Sequence, residues 1–249
     1  MSRVEILPVV GLGEVEPDTD LVRAILSALE AQSMRLRDGD IVVITQKVVS
    51  KAEGCVVNLG EVVPSPLARD WAERWSKDAR AVELVLRESQ RIVRMERGVI
   101  ISETRHGLIC ANAGVDCSNV GHGQATLLPP DPDGSATRLR AGLESASGAR
   151  LGVVISDTFG RVWRIGQTNV AVGAAGVAVL RDFEGVLDPT GYELRVTMLA
   201  TADEIAGAAE LVMGKLDRVP VAIVRGLEYA LGDGSARELI RPAATDLFR

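Results

Sequence analysis

A polar motif, Asp-Thr-Phe-Gly-Arg at 157–161, follows an unbroken apolar run at 151–155, with only Ser156 between them. The run is too short for a lone helix and is typical of a strand buried on both faces, so we expect the motif to begin where that strand ends. The carboxylate of Asp157 and the hydroxyl of Thr158 are hard oxygen ligands of the kind that suit Mg²⁺ or Mn²⁺. The alternative is an ordinary strand-to-turn junction with no chemistry.

Two lysines, Lys47 and Lys51, follow a second wholly apolar strand at 41–44. Lysine is a compact point charge that binds phosphate, and the carboxyl end of a buried strand is where open α/β sheets bind nucleotides. This pattern predicts a nucleotide-phosphate site. The alternative is a pair of solvated surface lysines, since charged side chains are mostly exposed.

A third stretch, 112–120, places Asp116 and Asn119 among small residues, which leaves room for a ligand. A loop of turn-forming residues is the alternative. Taken together, two aspartates on separate loops and two lysines on another predict a metal-nucleotide site for phosphoryl transfer. The residues by themselves do not identify the group that accepts the phosphoryl.

The elements that position these residues alternate between strands and helices. Apolar spacing predicts strands at 4–10, 41–44, 151–155 and 220–224, and a hairpin at 91–103 with a third strand ending at 111. Capping residues and helical spacing predict helices that start near 20, 66 and 135 and others at 81–88 and 205–213. We expect a rigid connector at 127–134, a polar loop at 163–169, and few packing contacts in the tail at 228–249.

Composition narrows the class of protein. The 249 residues are 47% hydrophobic, which is ordinary for a globular chain with one large or two small domains. A net charge of −6 argues against sequence-independent binding of nucleic acid. Three cysteines and two histidines give no zinc spacing and fit a reducing cytosol, and no leader or membrane-length apolar run is evident. We expect a cytoplasmic enzyme or binding protein.

Six ordered motifs, at 38–54, 112–120, 155–161, 202–206, 211–215 and 224–227, resemble the coenzyme F-420:L-glutamate ligase family. The likeness covers nearly the whole chain. The resemblance implies a mixed α/β fold assembled as an intertwined, butterfly-like homodimer. It also implies a single ligase domain over 1–249, in one or two lobes, without the nitroreductase-like domain that follows in the fused actinobacterial enzyme.

The resemblance further implies an activity. A GTP-dependent enzyme that requires Mn²⁺ or Mg²⁺ would join L-glutamate to the lactyl carboxylate of F-420-0 through an acyl phosphate, with γ-linked glutamate additions afterwards. K⁺ is a further candidate cofactor, and neither nucleic acid nor membrane is an expected partner. The alternatives are a metal-dependent phosphohydrolase or nucleotidyltransferase, and a non-catalytic deazaflavin-binding protein.

Carried over motif by motif, the resemblance assigns metal binding to Asp116, Asp157 and Thr158, and catalytic roles to Lys51 and Asp157. The residues implied to contact GTP are Leu12, Gly13, Glu14, Val15, Gln46, Lys47, Lys51, Asn119, Met213, Gly214 and Lys215. Candidates for binding acidic substrate groups are Arg161, Arg164 and Gln167. Lys215 stands where archaeal relatives carry an acidic ligand of a second metal, so the choice between one and two metals stays open.

Overall fold

The computed structural model describes residues 3–227 and 231–247. The strands are β1 (Glu5–Val9), β2 (Ile41–Thr45), β3 (Val56–Asn58), β4 (Ser89–Glu96), β5 (Val99–Thr104), β6 (Ile109–Ala111), β7 (Gln124–Thr126), β8 (Gly152–Arg161), β9 (Arg164–Ala175), β10 (Arg181–Asp182), β11 (Met198–Leu199) and β12 (Val221–Arg225). The helices are α1 (Leu21–Ala31), α2 (Gln46–Ala52), α3 (Pro66–Trp75), α4 (Ala79–Glu88), α5 (Pro132–Ser147) and α6 (Thr201–Met213). The fold is mixed α/β, as predicted.

A five-stranded sheet in the order β1-β12-β2-β8-β9 forms the centre of the fold. β2 and β8 are parallel, with Thr45 opposite Ser156, whereas β12 is antiparallel to both β1 and β2, and β9 is antiparallel to β8. The carboxyl ends of β1, β2 and the apolar part of β8 therefore lie at one edge of the sheet. The predicted strands at 4–10, 41–44 and 220–224 are confirmed.

Helices cover both faces of this sheet because its central strands are apolar on both sides. Val42 and Ile44 pack with α1 and α5 on one face, whereas Ile41 and Val43 pack with α6 on the other. Alternate residues of a strand point to opposite faces, so one short apolar run serves two separate cores. At the amino end of β2, the buried Asp40 holds Arg225 through two contacts of 2.7 and 2.8 Å.

A second sheet, β4-β5-β6, packs with α3 and α4 around Trp71 and Ile100. The predicted hairpin and third strand are confirmed here, and so is a helix start at Pro66, capped by the Ser65 hydroxyl. Glu83 of α4 accepts the backbone N–H of Ser65 at 2.8 Å and the Arg87 guanidinium at 2.9 Å, which ties α4 to the start of α3.

The strand at 151–155 does not end where the sequence predicts. β8 continues to Arg161 and turns back into β9, so the polar loop expected at 163–169 is wrong and most of it is strand. The two strands are paired along their length, with register shifts after Ile155 and after Gly160. Backbone pairing in a hairpin does not require apolar side chains, which is why the polar sequence concealed the extension.

Two predictions around α5 and the tail are also corrected. The helix begins at Pro132 rather than at Ser135, whose hydroxyl donates to the Asp131 carbonyl, so the rigid connector is shorter than expected. Asp133 in its first turn accepts the backbone N–H of Ala236 and the Ser235 hydroxyl. The described part of the tail, 231–247, thus makes specific packing contacts; the predicted tail residues 228–230 and 248–249 lie outside the described residues.

Cys55, Cys110 and Cys117 are all free thiols. Burial is the main cause that raises the pKa of the Cys110 thiol to about 12, and the nearby Asp157 charge adds to it. Across residues 3–227 and 231–247, the structure contains no helix with the length and apolar character needed to cross a bilayer.

Candidate active site

A cleft of about 990 Å³ opens at the edge where β1, β2 and the apolar part of β8 end. Because β2 and β8 are parallel, the residues that follow β2 lie beside the polar residues of β8 that come after its apolar part, which is the usual position of ligand sites in such sheets. The residues that line the cleft fall within 10–15, 45–51, 116–121, 156–169 and 210–220. Three stretches that the sequence singled out separately therefore share one space.

The loop after β1 forms one wall of the cleft, with residues 10–15 all lining it. Gly11 and Gly13 have φ angles of 84° and 77°, a backbone region that glycine adopts without the strain that a side chain would bring. Residues Leu12, Gly13, Glu14 and Val15, which were predicted to contact GTP, are all at the cleft.

Lys47 and Lys51 project into the cleft from α2 and are not solvated surface lysines. Their side chains are 18% and 14% exposed. Lys51 Nζ lies 2.7 Å from the Glu14 carboxylate, and this hydrogen bond, followed by the attraction between the charges, holds the pKa of Glu14 below its usual value. Lys47 Nζ lies 2.6 Å from the Asp116 carboxylate and donates to the Ser118 hydroxyl at 2.8 Å.

Asp116 and Asp157 are in different electrostatic environments although both line the cleft. Burial alone raises the pKa of Asp116, but the hydrogen bonds from Lys47 and Ser118 outweigh it, and the net pKa is lowered. Burial also raises the pKa of Asp157, here to about 6, because the opposing hydrogen bond from the Thr158 N–H is weaker and the Asp116 charge adds to the rise.

The oxygen atoms around Asp157 fit a divalent cation. No lysine, arginine or histidine in the described part of the chain forms an ion pair with this carboxylate, so a bound cation would relieve its desolvated charge. Thr158 follows it in the cleft wall, and Asp116 lies close enough to affect its pKa. Within 3–227 and 231–247, no three His, Cys, Asp or Glu side chains converge as a metal site. Asp116, Asp157 and Thr158 would supply the oxygen ligands for such an ion.

Most of the other predicted nucleotide residues also reach the cleft. Asn119, Met213, Gly214 and Lys215 line it, and the charge of Lys215 opposes the rise in the pKa of Asp157. Gly214 has a φ angle of 61°, and a Cβ atom there would collide with the Asp217 carboxylate, so the turn after α6 requires glycine.

Four predicted residues are not part of the cleft wall. Gln46 is buried beneath it, where its side-chain oxygen accepts the Ser50 hydroxyl at 2.8 Å. Arg161, Arg164 and Gln167 lie in the exposed outer part of the β8–β9 hairpin. The Arg161 guanidinium donates to the Ile165 carbonyl at 2.7 Å, so in this structure it stabilises its own turn.

Comparison with known proteins identifies the family. A sequence model described as F420-0:Gamma-glutamyl ligase matches residues 10–226. The chain belongs to this family. The protein named coenzyme F420:L-glutamate ligase in Methanothermobacter thermautotrophicus is 48% identical, over 99% of this chain and 97% of its own length. The proteins of the same name in Methanopyrus kandleri and Archaeoglobus fulgidus are 47% and 41% identical, over 95% and 99% of this chain and 94% and 97% of their own lengths.

Membership of the F420-0:gamma-glutamyl ligase family makes this chain a ligase and confirms the resemblance seen in the motifs. The cleft of this ligase also contains polar residues to which the motifs assigned no role. Asn169 on β9, Glu210 on α6 and Ser156 on β8 all line it. Ser156 Oγ is buried and makes no hydrogen bond to any residue that the structure describes.

Proposed function

We propose that this enzyme joins L-glutamate to the lactyl carboxylate of F-420-0, using GTP and a divalent cation, and continues with γ-linked glutamate additions. The observation that carries the proposal is the convergence of Lys47, Lys51, Asp116 and Asp157 on one cleft, where β2 ends beside the polar part of the parallel strand β8. The names of the relatives, coenzyme F420:L-glutamate ligase, support the choice of glutamate and of the F420 precursor.

The nucleotide side of the cleft is built from the loop after β1, α2 and the turn after α6. Lys47 and Lys51 now pair with Asp116 and Glu14, and the phosphates of GTP would compete for both ammonium groups. Such an exchange would release the Asp116 carboxylate at the same time. Lys215, in the turn after α6, adds a third positive charge.

The group that would hold Mn²⁺ or Mg²⁺ consists of Asp116, Asp157 and Thr158. When bound, such an ion neutralises charge on phosphate oxygens and orients them, and K⁺ is a further candidate cofactor. One ion is the simpler arrangement here, because Lys215 already adds a positive charge to the cleft that acts on Asp157.

The chemistry takes place in two steps. An oxygen of the F-420-0 carboxylate attacks the γ-phosphorus of GTP, the bond to the β-phosphate oxygen breaks, and GDP leaves an acyl phosphate behind. The amine of glutamate then attacks the acyl carbon and phosphate departs. Lys51, held at 14% exposure, would stabilise the charge that develops on the phosphoryl oxygens, since an ammonium in a partly desolvated site acts more strongly than one in water.

The proposal includes a homodimer. Large apolar side chains are exposed in the outer part of the β8–β9 hairpin, where Ile165 is 99% exposed, and between β10 and β11, where Val196 is 93% exposed. Exposed apolar side chains that cluster in this way are typical of protein–protein interfaces. A second copy of the chain is the partner that the butterfly-like arrangement of the family implies.

The test combines purified protein with F-420-0, L-glutamate, GTP and Mn²⁺, and follows the deazaflavin and GDP by mass spectrometry. The expected result is a mass gain by whole glutamyl units, with one GDP for each unit. Omission of glutamate and chelation of Mn²⁺ are the controls, and each should abolish the product. GDP without a glutamyl product would indicate a phosphohydrolase. If neither GDP nor a glutamyl product forms, the protein would be a binding protein.

A further inference from the structure

Glu210 is a carboxylate in the cleft that neither the nucleotide nor the metal assignment uses. It lies in the last turn of α6, is partly buried, and lines the cleft together with Glu14, Asp116, Asp157 and Asp217. Lysines neutralise Glu14 and Asp116, and Asp157 is assigned to the metal. Asp217 is exposed in the turn after α6. Glu210 is therefore the partly buried carboxylate that remains available to a substrate.

A chain of hydrogen bonds places Glu210 beside the proposed metal ligands. Thr158 N–H donates to Asp157 Oδ1 at 2.8 Å, and the Thr158 hydroxyl donates to Asn169 Oδ1 at 2.8 Å. Asn169 N–H in turn donates to Glu210 Oε2 at 3.1 Å. Among the residues that the structure describes, the Asn169 backbone N–H is the one hydrogen-bond donor to the Glu210 carboxylate, so Oε1 remains available.

We infer that Glu210 binds the α-ammonium group of the incoming L-glutamate and accepts its proton. The inference rests on the proposed function, in which this amine is the nucleophile. An amine is protonated near neutral pH and cannot attack until one proton is removed. Lys47, Lys51 and Lys215 repel a cation, whereas Glu210 attracts one. Its position in the last turn of α6 adds to this, because the carboxyl end of a helix carries partial negative charge.

In this step the ammonium group loses two protons and phosphate leaves the acyl carbon. The ammonium loses one proton to the Glu210 carboxylate, and the nitrogen lone pair forms a bond to the acyl carbon. The bond from that carbon to the phosphate oxygen breaks, and inorganic phosphate leaves with the electron pair. The second amine proton passes to water or to the leaving phosphate, which gives the neutral amide.

Asp203, on the same helix as Glu210, is a control for the possibility that Glu210 has only a structural role. β9 is an edge strand, so some of its outward N–H groups need acceptors. Glu210 accepts from Asn169, and Asp203, seven residues earlier on α6, accepts from Ala171 at 2.8 Å. Asp203 does not line the cleft. The two carboxylates thus share the edge-capping contact and differ in access to the substrate.

The experiment compares Glu210→Gln with Asp203→Asn in two reactions. Both amide side chains still accept a backbone N–H, so both variants should fold. The first reaction is glutamyl ligation at varied L-glutamate. The second replaces glutamate with hydroxylamine, a neutral nucleophile near pH 7 that traps the acyl phosphate as a hydroxamate without a glutamate site. Mn²⁺ affinity is measured for each protein by electron paramagnetic resonance.

For Glu210→Gln we expect kcat/KM for L-glutamate to fall about 100-fold, the lower end of general-base contributions. Hydroxamate formation and Mn²⁺ affinity should match wild type, and Glu210→Asp should recover part of the ligation. Asp203→Asn should retain full ligation. Equal loss in both reactions, altered Mn²⁺ affinity, or the same glutamate-specific loss in Asp203→Asn would overturn the inference. If wild type itself forms no hydroxamate, the acyl phosphate of the proposed function fails, and the inference falls with it.

Discussion

Two neighbouring aspartates of the cleft differ because one has a lysine and the other does not. The Lys47 ammonium contacts Asp116 at 2.6 Å, and its hydrogen bond is the largest of the effects that lower the pKa of Asp116 against burial. Burial instead leaves the pKa of Asp157 raised to about 6. A carboxylate that is desolvated and lacks a fixed cation has the most to gain from a divalent ion, so Asp157 is the residue through which the metal assignment is best tested.

Replacement of Asp157 by Asn should remove activity without removing the fold. The Asn carbonyl can still accept the Thr158 N–H, but a neutral amide is a much poorer ligand for Mn²⁺. We expect kcat to fall by about 10²–10⁴-fold, with the far-ultraviolet circular dichroism spectrum and the melting temperature near those of wild type.

The matched control for this prediction is Asp70→Asn. Asp70 lies on α3, pairs with Arg74 at 3.1 Å and has a side chain that is 66% exposed, so its replacement should leave turnover unchanged. Full activity in Asp157→Asn would contradict the metal assignment. A collapse of the melting temperature would instead indicate a structural role for this carboxylate.

At the scale of single residues, some of the site residues could be predicted from the sequence and others could not. Lys47, Lys51, Asp116 and Asp157 could be predicted because polar residues that follow apolar strands are conspicuous. Glu210 could not, because it lies on a helix whose pattern reports only packing. Its relation to the cleft depends on how α6 meets the edge strand β9, and a single sequence does not show that contact.

At the scale of elements, Glu83 of α4 connects two helices, because its carboxylate accepts the backbone N–H of Ser65 at the start of α3. Hydrogen bonds from Ser65, with a further one from Arg87, lower the pKa of Glu83 from 4.5 to about 2 despite burial. A carboxyl group with a lowered folded-state pKa stabilises the fold above its unfolded pKa and loses that contribution as the pH falls. The relevant window here is therefore about pH 4.5 down to about pH 2.

Replacement of Glu83 by Gln should destabilise the protein at pH 7 by about 1–2 kcal/mol, because the amide has one acceptor oxygen in place of two and carries no charge. The difference from wild type should shrink as the pH falls through that window. Urea unfolding at pH values from 7 to 3 measures it. Glu73→Gln, on the exposed side of α3, is the control and should change little. A difference that grows toward low pH would contradict the assigned cause.

Some helices and strands could be predicted from the sequence pattern, whereas others could not. Strands buried in the sheet follow from apolar runs, and helices follow from their caps, as at Ser65 before α3. The outer part of the β8–β9 hairpin is exposed, so its side chains carry no burial pattern and its pairing could not be foreseen. The tail is likewise fixed by contacts that its own pattern does not show. Ser235 and Ala236 bond to Asp133, and Ala236 and Leu239 pack against the core beside α6.

At the scale of the whole molecule, exposed apolar residues predict the assembly. A substitution of Ile165 by Arg would place a charge in the proposed dimer interface, where a buried unpaired charge is costly. We expect the wild-type protein to be a dimer by light scattering and Ile165→Arg to shift toward monomer. Leu216→Arg is the control, since Leu216 is also exposed but lies in the turn after α6. A monomeric wild-type protein would contradict the proposed dimer.

The pairing of β1 with β12 has a consequence for how the chain acquires its cleft. Glu5 lies opposite Arg225, so the central sheet is complete only when segments from the two ends of the chain have met. Contacts so distant in sequence form slowly, because a long loop must close before they contribute. During synthesis, β1 and the loop that follows it would leave the ribosome long before β12, the strand that pairs with β1. The cleft would thus be completed only at a late stage of folding, and a chain that stalls before β12 would lack it.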